Sequence, residues 1–197
     1  MFDFQPIGRI IQLQIQTSSM KVDGEPRRYY TPEPIRGVEA LDLSEGRIIG
    51  LLDGCETVDV HSVAHPESRN RGNGNMLSVV FTGHYEILRQ RYGQHMRPGI
   101  AGENMLVEYD RRLELSDVER GLVIEGQDGP RIEFDTVSVA HPCVEFSRFA
   151  LDDLNAPAKQ VSETLKFLDN GTRGFYAVVT SSLPARIEVG DMLLARV

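Results

Sequence analysis

Residues 105–140 have the sequence MLVEYDRRLELSDVERGLVIEGQDGPRIEFDTVSVA, and this stretch decides the fold class. Short apolar segments recur in it, and Asp, Gly or Pro separates each segment from the next. That pattern is typical of short strands joined by tight turns. It predicts five strands, at residues 105–109, 112–115, 121–124, 131–134 and 137–140.

The flanking sequence continues this pattern. Residues 9–16, RIIQLQIQ, alternate apolar and polar side chains and predict a half-buried strand. Apolar side chains recur at helical spacing in only a few places, which predicts helices at 85–92, 145–154 and 160–168. Many short strands with few helices favour a mainly β protein, an antiparallel barrel or sandwich with a few short helices. No shift in composition marks a linker, so residues 1–197 are expected to form a single domain.

Charge and cysteine content exclude several classes of function. The 197 residues carry 29 acidic and 21 basic side chains, a net charge of −8, which argues against binding nucleic acid or an anionic membrane. Two cysteines are too few for a four-thiolate zinc site, an iron–sulfur cluster or a disulfide framework. The sequence shows no apolar membrane span, and residues 1–10 lack the pattern of a signal peptide. We therefore expect a cytoplasmic protein with free thiols.

Cys143 lies in the segment AHPCVEF, residues 140–146, where a predicted strand ends and a predicted helix begins. A thiol at the start of a helix faces unpaired N–H groups and the positive end of the helix dipole, which favours the reactive thiolate. The alternative is a buried, unreactive cysteine, which is a common role for free Cys.

A glycine-rich segment, MRPGIAGENMLV at residues 96–107, is the second candidate for chemistry. Its glycines let the backbone approach a ligand, and the Glu and Asn that follow offer a carboxylate and an amide at the start of a strand. The alternative is a plain β-turn with polar side chains facing solvent. His61 and His65 are four residues apart, but no third ligand is near in sequence, so zinc is not favoured.

Taken in order, these motifs resemble the MOSC family, which is named for the C-terminal domain of molybdenum-cofactor sulfurases. The resemblance rests on an ordered set of segments and covers most of the chain. These are G-E-N at 102–104, H-P-C at 141–143, R-G-F-Y at 173–176, the turn G-D at 190–191, and a gapped G-D-x-H-like segment at 50–61.

The resemblance implies a barrel-like fold that binds the molybdenum–pterin cofactor, or transfers sulfur, through one cysteine. Cys143 matches that cysteine, as a molybdenum-ligating thiolate or a persulfide carrier, and Gly102, Glu103 and Asn104 match a turn expected to line the cofactor pocket. His141 stands where many members carry Arg, so its contact with an anion would be weaker or dependent on pH.

Two arginines, Arg148 and Arg71, are candidates to hold the phosphate of the cofactor. They are chosen by chemistry and position rather than by a motif, because a guanidinium pairs well with a phosphate.

The leading hypothesis is a stand-alone MOSC protein, an oxidoreductase for N-hydroxylated substrates or a sulfur transferase. It would work with an electron-transfer or cofactor-maturation protein. The first alternative is a non-catalytic carrier of sulfur or cofactor, whose acidic surface docks onto a basic partner. The second alternative is an unrelated β-barrel that binds another ligand.

Overall fold

A computed structural model describes residues 3–68, 76–126 and 131–197. The helices in these ranges are α1 (Thr82–Tyr92), α2 (Leu115–Val118), α3 (Val144–Ala150) and α4 (Ala158–Leu168). None of the helices in the described ranges is long and apolar enough to cross a membrane. The strands in the same ranges are β1 (Phe4–Gln16), β2 (Lys21–Val22), β3 (Tyr29–Tyr30), β4 (Ile35–Val38), β5 (Ala40–Ser44), β6 (Arg47–Leu52), β7 (Cys55–Val58), β8 (Met76–Phe81), β9 (Met105–Val107), β10 (Leu122–Glu125), β11 (Ile132–Val139), β12 (Phe175–Val179), β13 (Ala185–Glu188) and β14 (Met192–Arg196).

Seven strands form a closed barrel in the order β14-β10-β11-β12-β8-β9-β1, and pairing of β1 with β14 completes the ring. Neighbouring strands are antiparallel except β8 and β9, which are parallel. Parallel neighbours need a long crossover, and residues 82–104, which include α1, provide it. The predicted mainly β barrel with a few short helices is confirmed, with one parallel pair that makes the sheet mixed.

The first strand is longer than the alternation at 9–16 predicts, and it is bulged. Its register shifts between Ile10 and Gln12 where it pairs with β9. Ile10 and Leu13 are therefore both buried, whereas Ile11 between them is 43% exposed. Because a one-residue shift moves a side chain to the opposite face, the bulge places Ile11 outside the core.

A second, four-stranded sheet has the order β13-β5-β6-β7. Its inward side chains, among them Leu41, Ile48 and Ile187, are buried in the same core as the barrel residues. Strand β4 pairs with the C-terminal part of β1 and forms the outer edge of the larger sheet.

The predicted strand at 112–115 is not formed. A helical turn, α2, begins at Leu115 instead, because Glu114 and Asp117 make a capping box in which each side chain accepts a hydrogen bond from the other residue's backbone N–H. The apolar residue Leu113 is still buried, at 7% exposure, so its burial alone did not specify a strand.

A separate apolar cluster packs helices against the small hairpin of β2 and β3. Helix α3 contacts both α4 and β3. The ring of Tyr30 lies 5.0 Å from the rings of both Phe146 and Phe149. This packing holds the start of α3 in place, and Cys143 immediately precedes that helix.

Candidate functional site

Segments distant in sequence meet around a cavity of about 310 Å³. They are the C-terminal end of β1, the β2–β3 hairpin, the loop after β7, the segment between β11 and α3, and the beginning of β12. The residues that line the cavity are Gln16, Ser19, Met20, Lys21, Tyr30, Val60, His61, Glu67, Met76, His141, Cys143, Arg173 and Tyr176.

Cys143 is the N-cap of α3, with φ −114° and ψ 164°. Pro142 has no N–H and disfavours helical conformation for the residue before it, so the strand ends here and the helix begins after the cysteine. The backbone N–H of Phe146 donates to Cys143 Sγ at 3.4 Å. The thiol is free and partly exposed on the cavity wall, whereas Cys55 is exposed in β7 and is not a lining residue.

Gly102 allows the loop before β9 to pack tightly behind the cavity. Its φ is +77°, and a Cβ atom there would lie 2.2 Å from Met20 Cε. Gln16 Nε2 donates to the Gly102 carbonyl at 2.5 Å. Because Gln16 and Met20 line the cavity, the glycine is needed for the shape of this wall.

Glu103 is buried and fixes the same loop. The Tyr85 hydroxyl donates to the carboxylate at 2.7 Å, and the Gly99 N–H donates to it at 3.1 Å. Burial raises the pKa of Glu103. Gly102 and Glu103 border a cleft of about 10 Å³. Arg173 and Tyr176 line both this cleft and the cavity that holds Cys143. The carboxyl is therefore a support behind the cavity rather than part of its wall.

Asn104 begins a hydrogen-bonded chain that ends at a cavity residue. Its Nδ2 donates to Asp59 Oδ2 at 3.2 Å, and His61 Nδ1 lies 2.8 Å from Asp59 Oδ1. Asp59 is fully buried and also accepts the Gln16 N–H at 2.8 Å. Burial acts to raise the pKa of Asp59, but the charge of His61 and the hydrogen bonds from His61 and Gln16 outweigh it, so the pKa is lowered. The chain orients the His61 ring, which lies 6.1 Å from the Tyr176 ring.

The remaining predicted residues differ in position. His141 lines the cavity, but its side chain is 77% exposed and its Nδ1 lies 2.9 Å from Asp169 Oδ1. Arg148 lies on α3 and does not line the cavity. Arg71 lies outside the described residues. Of the predicted set, the structure places Cys143 and His141 on the wall and the segment 102–104 behind it.

Arg173 is a cavity residue that the sequence analysis did not predict. Its Nη2 donates to the Ala101 carbonyl at 3.1 Å, and its Cζ lies 5.2 Å from the centre of the Phe146 ring. The available signal was its position at the head of the R-G-F-Y segment, immediately before β12. A second cation, Lys21, lies at the cavity 3.7 Å from the carboxylate of Glu145.

In the part of the chain that the structure describes, no group of three or more His, Cys, Asp or Glu side chains could hold a metal ion. The cavity therefore offers a single thiol rather than a multidentate protein site. A metal bound here would need most of its ligands from elsewhere.

Comparison with known proteins identifies the family. The MOSC domain family matches residues 66–194, more than half of the sequence, and the chain belongs to that family. No curated protein sequence matches it.

Solved structures share the fold. The YuaD protein from Bacillus subtilis is 15% identical with a TM-score of 0.59, and the match covers 100% of this chain and 98% of that one. A hypothetical protein is 14% identical with a TM-score of 0.51, covering 96% and 67% of the two chains. YiiM from Geobacillus stearothermophilus is 18% identical with a TM-score of 0.49, covering 99% and 75%.

Proposed function

We propose that this MOSC protein binds a molybdenum–pterin cofactor in the cavity, with Cys143 as the protein ligand to molybdenum. The observation that carries the proposal is that Cys143 of a MOSC chain lies on the wall of a cavity lined by aromatic and cationic side chains. Thiolate is a soft ligand suited to such a metal. The cavity volume of about 310 Å³ is at the lower end of the range for small-molecule sites.

The donor set fits a cofactor that brings its own metal ligands. One thiol is available, and no cluster of the described side chains offers a complete metal site. Aromatic Tyr176 and cationic Lys21 lie on the same wall and suit a planar, anionic molecule. When bound, the cofactor would supply a metal that changes oxidation state, as reduction of an N-hydroxylated substrate by an external electron donor requires.

The chain's own residues hold the site in a fixed geometry. The Phe146 N–H donates to Cys143 Sγ, and Ser147 Oγ donates to the Cys143 carbonyl at 2.9 Å. Both the side chain and the backbone of Cys143 are therefore fixed by hydrogen bonds. Asp59 holds the His61 ring at the wall through its Nδ1. These contacts restrict the side chains before any ligand arrives, which lowers the entropic cost of binding.

Metal and pterin analysis tests the ligand role directly. Wild-type protein expressed in a host supplied with molybdenum is expected to contain both molybdenum and pterin, and Cys143→Ala is expected to lose most of both. Cys55→Ala is the matched control, because Cys55 is exposed and outside the cavity. Wild type without molybdenum and pterin, or Cys143→Ala that retains both in full, would refute the role.

Sulfur carriage by the same residue is the second candidate. It is favoured by the partial exposure of Cys143, because a persulfide carrier must be reached by a donor and an acceptor. Peptide mass spectrometry of protein purified without reductant would then show one extra sulfur atom on Cys143 and none on Cys55. Turnover of a hydroxylamine-type substrate with an artificial reductant would instead support the oxidoreductase.

A protein partner is part of both schemes, as an electron donor or as a donor or acceptor of sulfur or cofactor. The net charge of −8 favours a partner with a basic surface. Weaker association at high ionic strength would be the expected signature of such docking.

A further inference from the structure

Arg173 lines both the cavity that holds Cys143 and the cleft behind it. One of its nitrogens, Nη2, donates to the Ala101 carbonyl. Its Nε is buried and has no hydrogen-bond partner among the described residues. The guanidinium thus has donor capacity that the described part of the chain leaves unused.

No carboxylate among the described residues makes an ion pair with Arg173. The other charged groups around the cavity have other contacts. Lys21 is paired with Glu145, and the Glu67 carboxylate accepts the Ser19 N–H at 2.9 Å. The nearby Glu103 carboxylate accepts from Tyr85 and Gly99.

The Tyr30 and Tyr176 hydroxyls and the Cys143 thiol line the cavity with Arg173. The guanidinium keeps its proton at any ordinary pH, so the side chain is charged. Burial raises the pKa of the Glu103 carboxyl more strongly than the nearby charge of Arg173 lowers it. Burial also raises the pKa of Tyr30, whose hydroxyl donates to the Ile100 carbonyl at 2.6 Å and remains neutral. Tyr30 therefore does not supply a counter-charge.

A partly buried guanidinium without a counter-ion is unfavourable, and its planar set of N–H donors matches an oxyanion. We propose that Arg173 is the anchor of an oxyanion subsite beside Cys143, which takes a phosphate, sulfate or molybdate-like group. This inference deepens the proposed function by naming the chemistry of the ligand next to the cysteine. Anion binding by the cofactor-free protein does not depend on that function.

Two alkylating reagents of similar size but different charge test the subsite in cofactor-free protein. Iodoacetate is an anion and iodoacetamide is neutral, and peptide mass spectrometry gives the rate of each reagent at Cys143 and at Cys55. The ratio of iodoacetate to iodoacetamide rates at Cys143 is expected to fall about fivefold in Arg173→Gln, the factor that opposite charges about 4 Å apart supply in water. Arg173→Lys is expected to retain part of the preference, and the ratio at Cys55 should not change.

Arg148→Gln is the matched control, because it removes an arginine from α3 near Cys143 without touching the cavity wall. Inorganic phosphate and sulfate at millimolar concentration should slow iodoacetate at Cys143 in wild type and not in Arg173→Gln, and calorimetry should show the same loss of binding. If wild type binds neither anion, or if Arg148→Gln lowers the ratio as much as Arg173→Gln, the subsite is disproved.

Sulfate binding to cofactor-loaded protein shows whether the oxyanion at Arg173 belongs to the pterin or is a free substrate. If the phosphate of the pterin occupies Arg173, loaded protein will no longer bind sulfate, and Arg173→Gln will lose pterin. If a free oxyanion substrate occupies it, loaded wild type will still bind sulfate, and Arg173→Gln will retain pterin. Anion binding in protein that never acquires molybdenum would disprove the proposed function and leave the subsite standing.

Discussion

The two cysteines lie in regions that are built in different ways. Cys143 borders a cavity supported by buried polar side chains that hydrogen-bond to each other and to backbone, among them Asp59, Glu103 and Asn104. Cys55 lies in the four-stranded sheet, which is apolar on its inner face and has exposed ion pairs such as Arg186 with Asp42 outside.

This difference predicts where substitutions will matter. A buried polar group has given up its hydration, so the loss of its hydrogen-bond partner leaves it unsatisfied and costs free energy. An exposed group can replace a lost partner with water. Small substitutions of polar residues should therefore reduce the free energy of unfolding strongly in the cavity region and only slightly on the outer face of the four-stranded sheet.

The largest effect is expected at the buried Asp59, with the exposed Asp42 as the comparison. Asp59→Ala removes the acceptor for the Gln16 and His61 backbone N–H groups and for Asn104 Nδ2, and should reduce the free energy of unfolding by about 3–5 kcal/mol. Asp42→Ala, the control, should cost about 1 kcal/mol or less, because Asp42 is exposed and Arg186 keeps Glu188. Urea denaturation measures both, and equal losses would contradict the comparison.

Two glycines give a matched pair for backbone strain. Gly102 and Gly54 have nearly the same φ, +77° and +79°, but a Cβ at Gly102 would meet Met20 and Gln16, whereas nothing lies within 4 Å at Gly54. The φ strain of about 1–2 kcal/mol is common to both alanine variants. Gly102→Ala should cost about 0.5–1.5 kcal/mol more, because the ends of the Met20 and Gln16 side chains must change rotamer to make room.

Thermal or urea unfolding of the two variants gives this difference directly. Equal destabilisation by Gly102→Ala and Gly54→Ala would mean that close packing against Gly102 is not needed for the cavity wall.

The sequence predicts those elements whose signal is local. Short apolar segments separated by turn residues predicted most of the barrel strands. Apolar residues at helical spacing predicted α1 and α4 to within a few residues. The helix expected to start after Cys143 also forms there, because Pro142 precedes the cysteine and apolar residues at helical spacing follow it.

Features that depend on distant contacts could not be predicted in this way. In the alternation at 9–16, Ile11 falls on the same strand face as Leu13, but a bulge set by pairing with β9 exposes it. Asp59 and Arg173 lie in segments that the family resemblance covers, but nothing local marks them as site residues. Their importance comes from Asn104 and from the cavity, which are formed by other parts of the chain. The predicted roles of the site residues remain to be tested.

The free energy of unfolding should depend on pH through the buried Asp59. The pKa of Asp59 is lowered from 3.8 in the folded state, so its contribution to stability is fully present above that value and is lost as pH falls toward the lower folded pKa. Asp59→Asn should therefore be less stable than wild type at neutral pH, and the gap should narrow below about pH 4. Urea midpoints measured from pH 7 to pH 3 check this, and a constant gap would contradict it.

The smallest effect concerns the cysteines themselves. Serine is a preferred N-cap residue, whereas the Cys143 sulfur is a weak acceptor 3.4 Å from the Phe146 N–H. In cofactor-free protein, Cys143→Ser should therefore raise the free energy of unfolding by about 0.5 kcal/mol, and Cys143→Ala should lower it by a similar amount. Cys55→Ser, on an exposed strand, should change it by less than about 0.5 kcal/mol in either direction.

A gain in stability at Cys143 and not at Cys55 would mean that the chain keeps a poorer helix cap for the sake of its sulfur, as expected of a functional residue. A Cys143→Ser variant less stable than wild type would instead show that this thiol is the better-packed choice at its position, and the contrast between the two cysteines would then rest on the cavity alone.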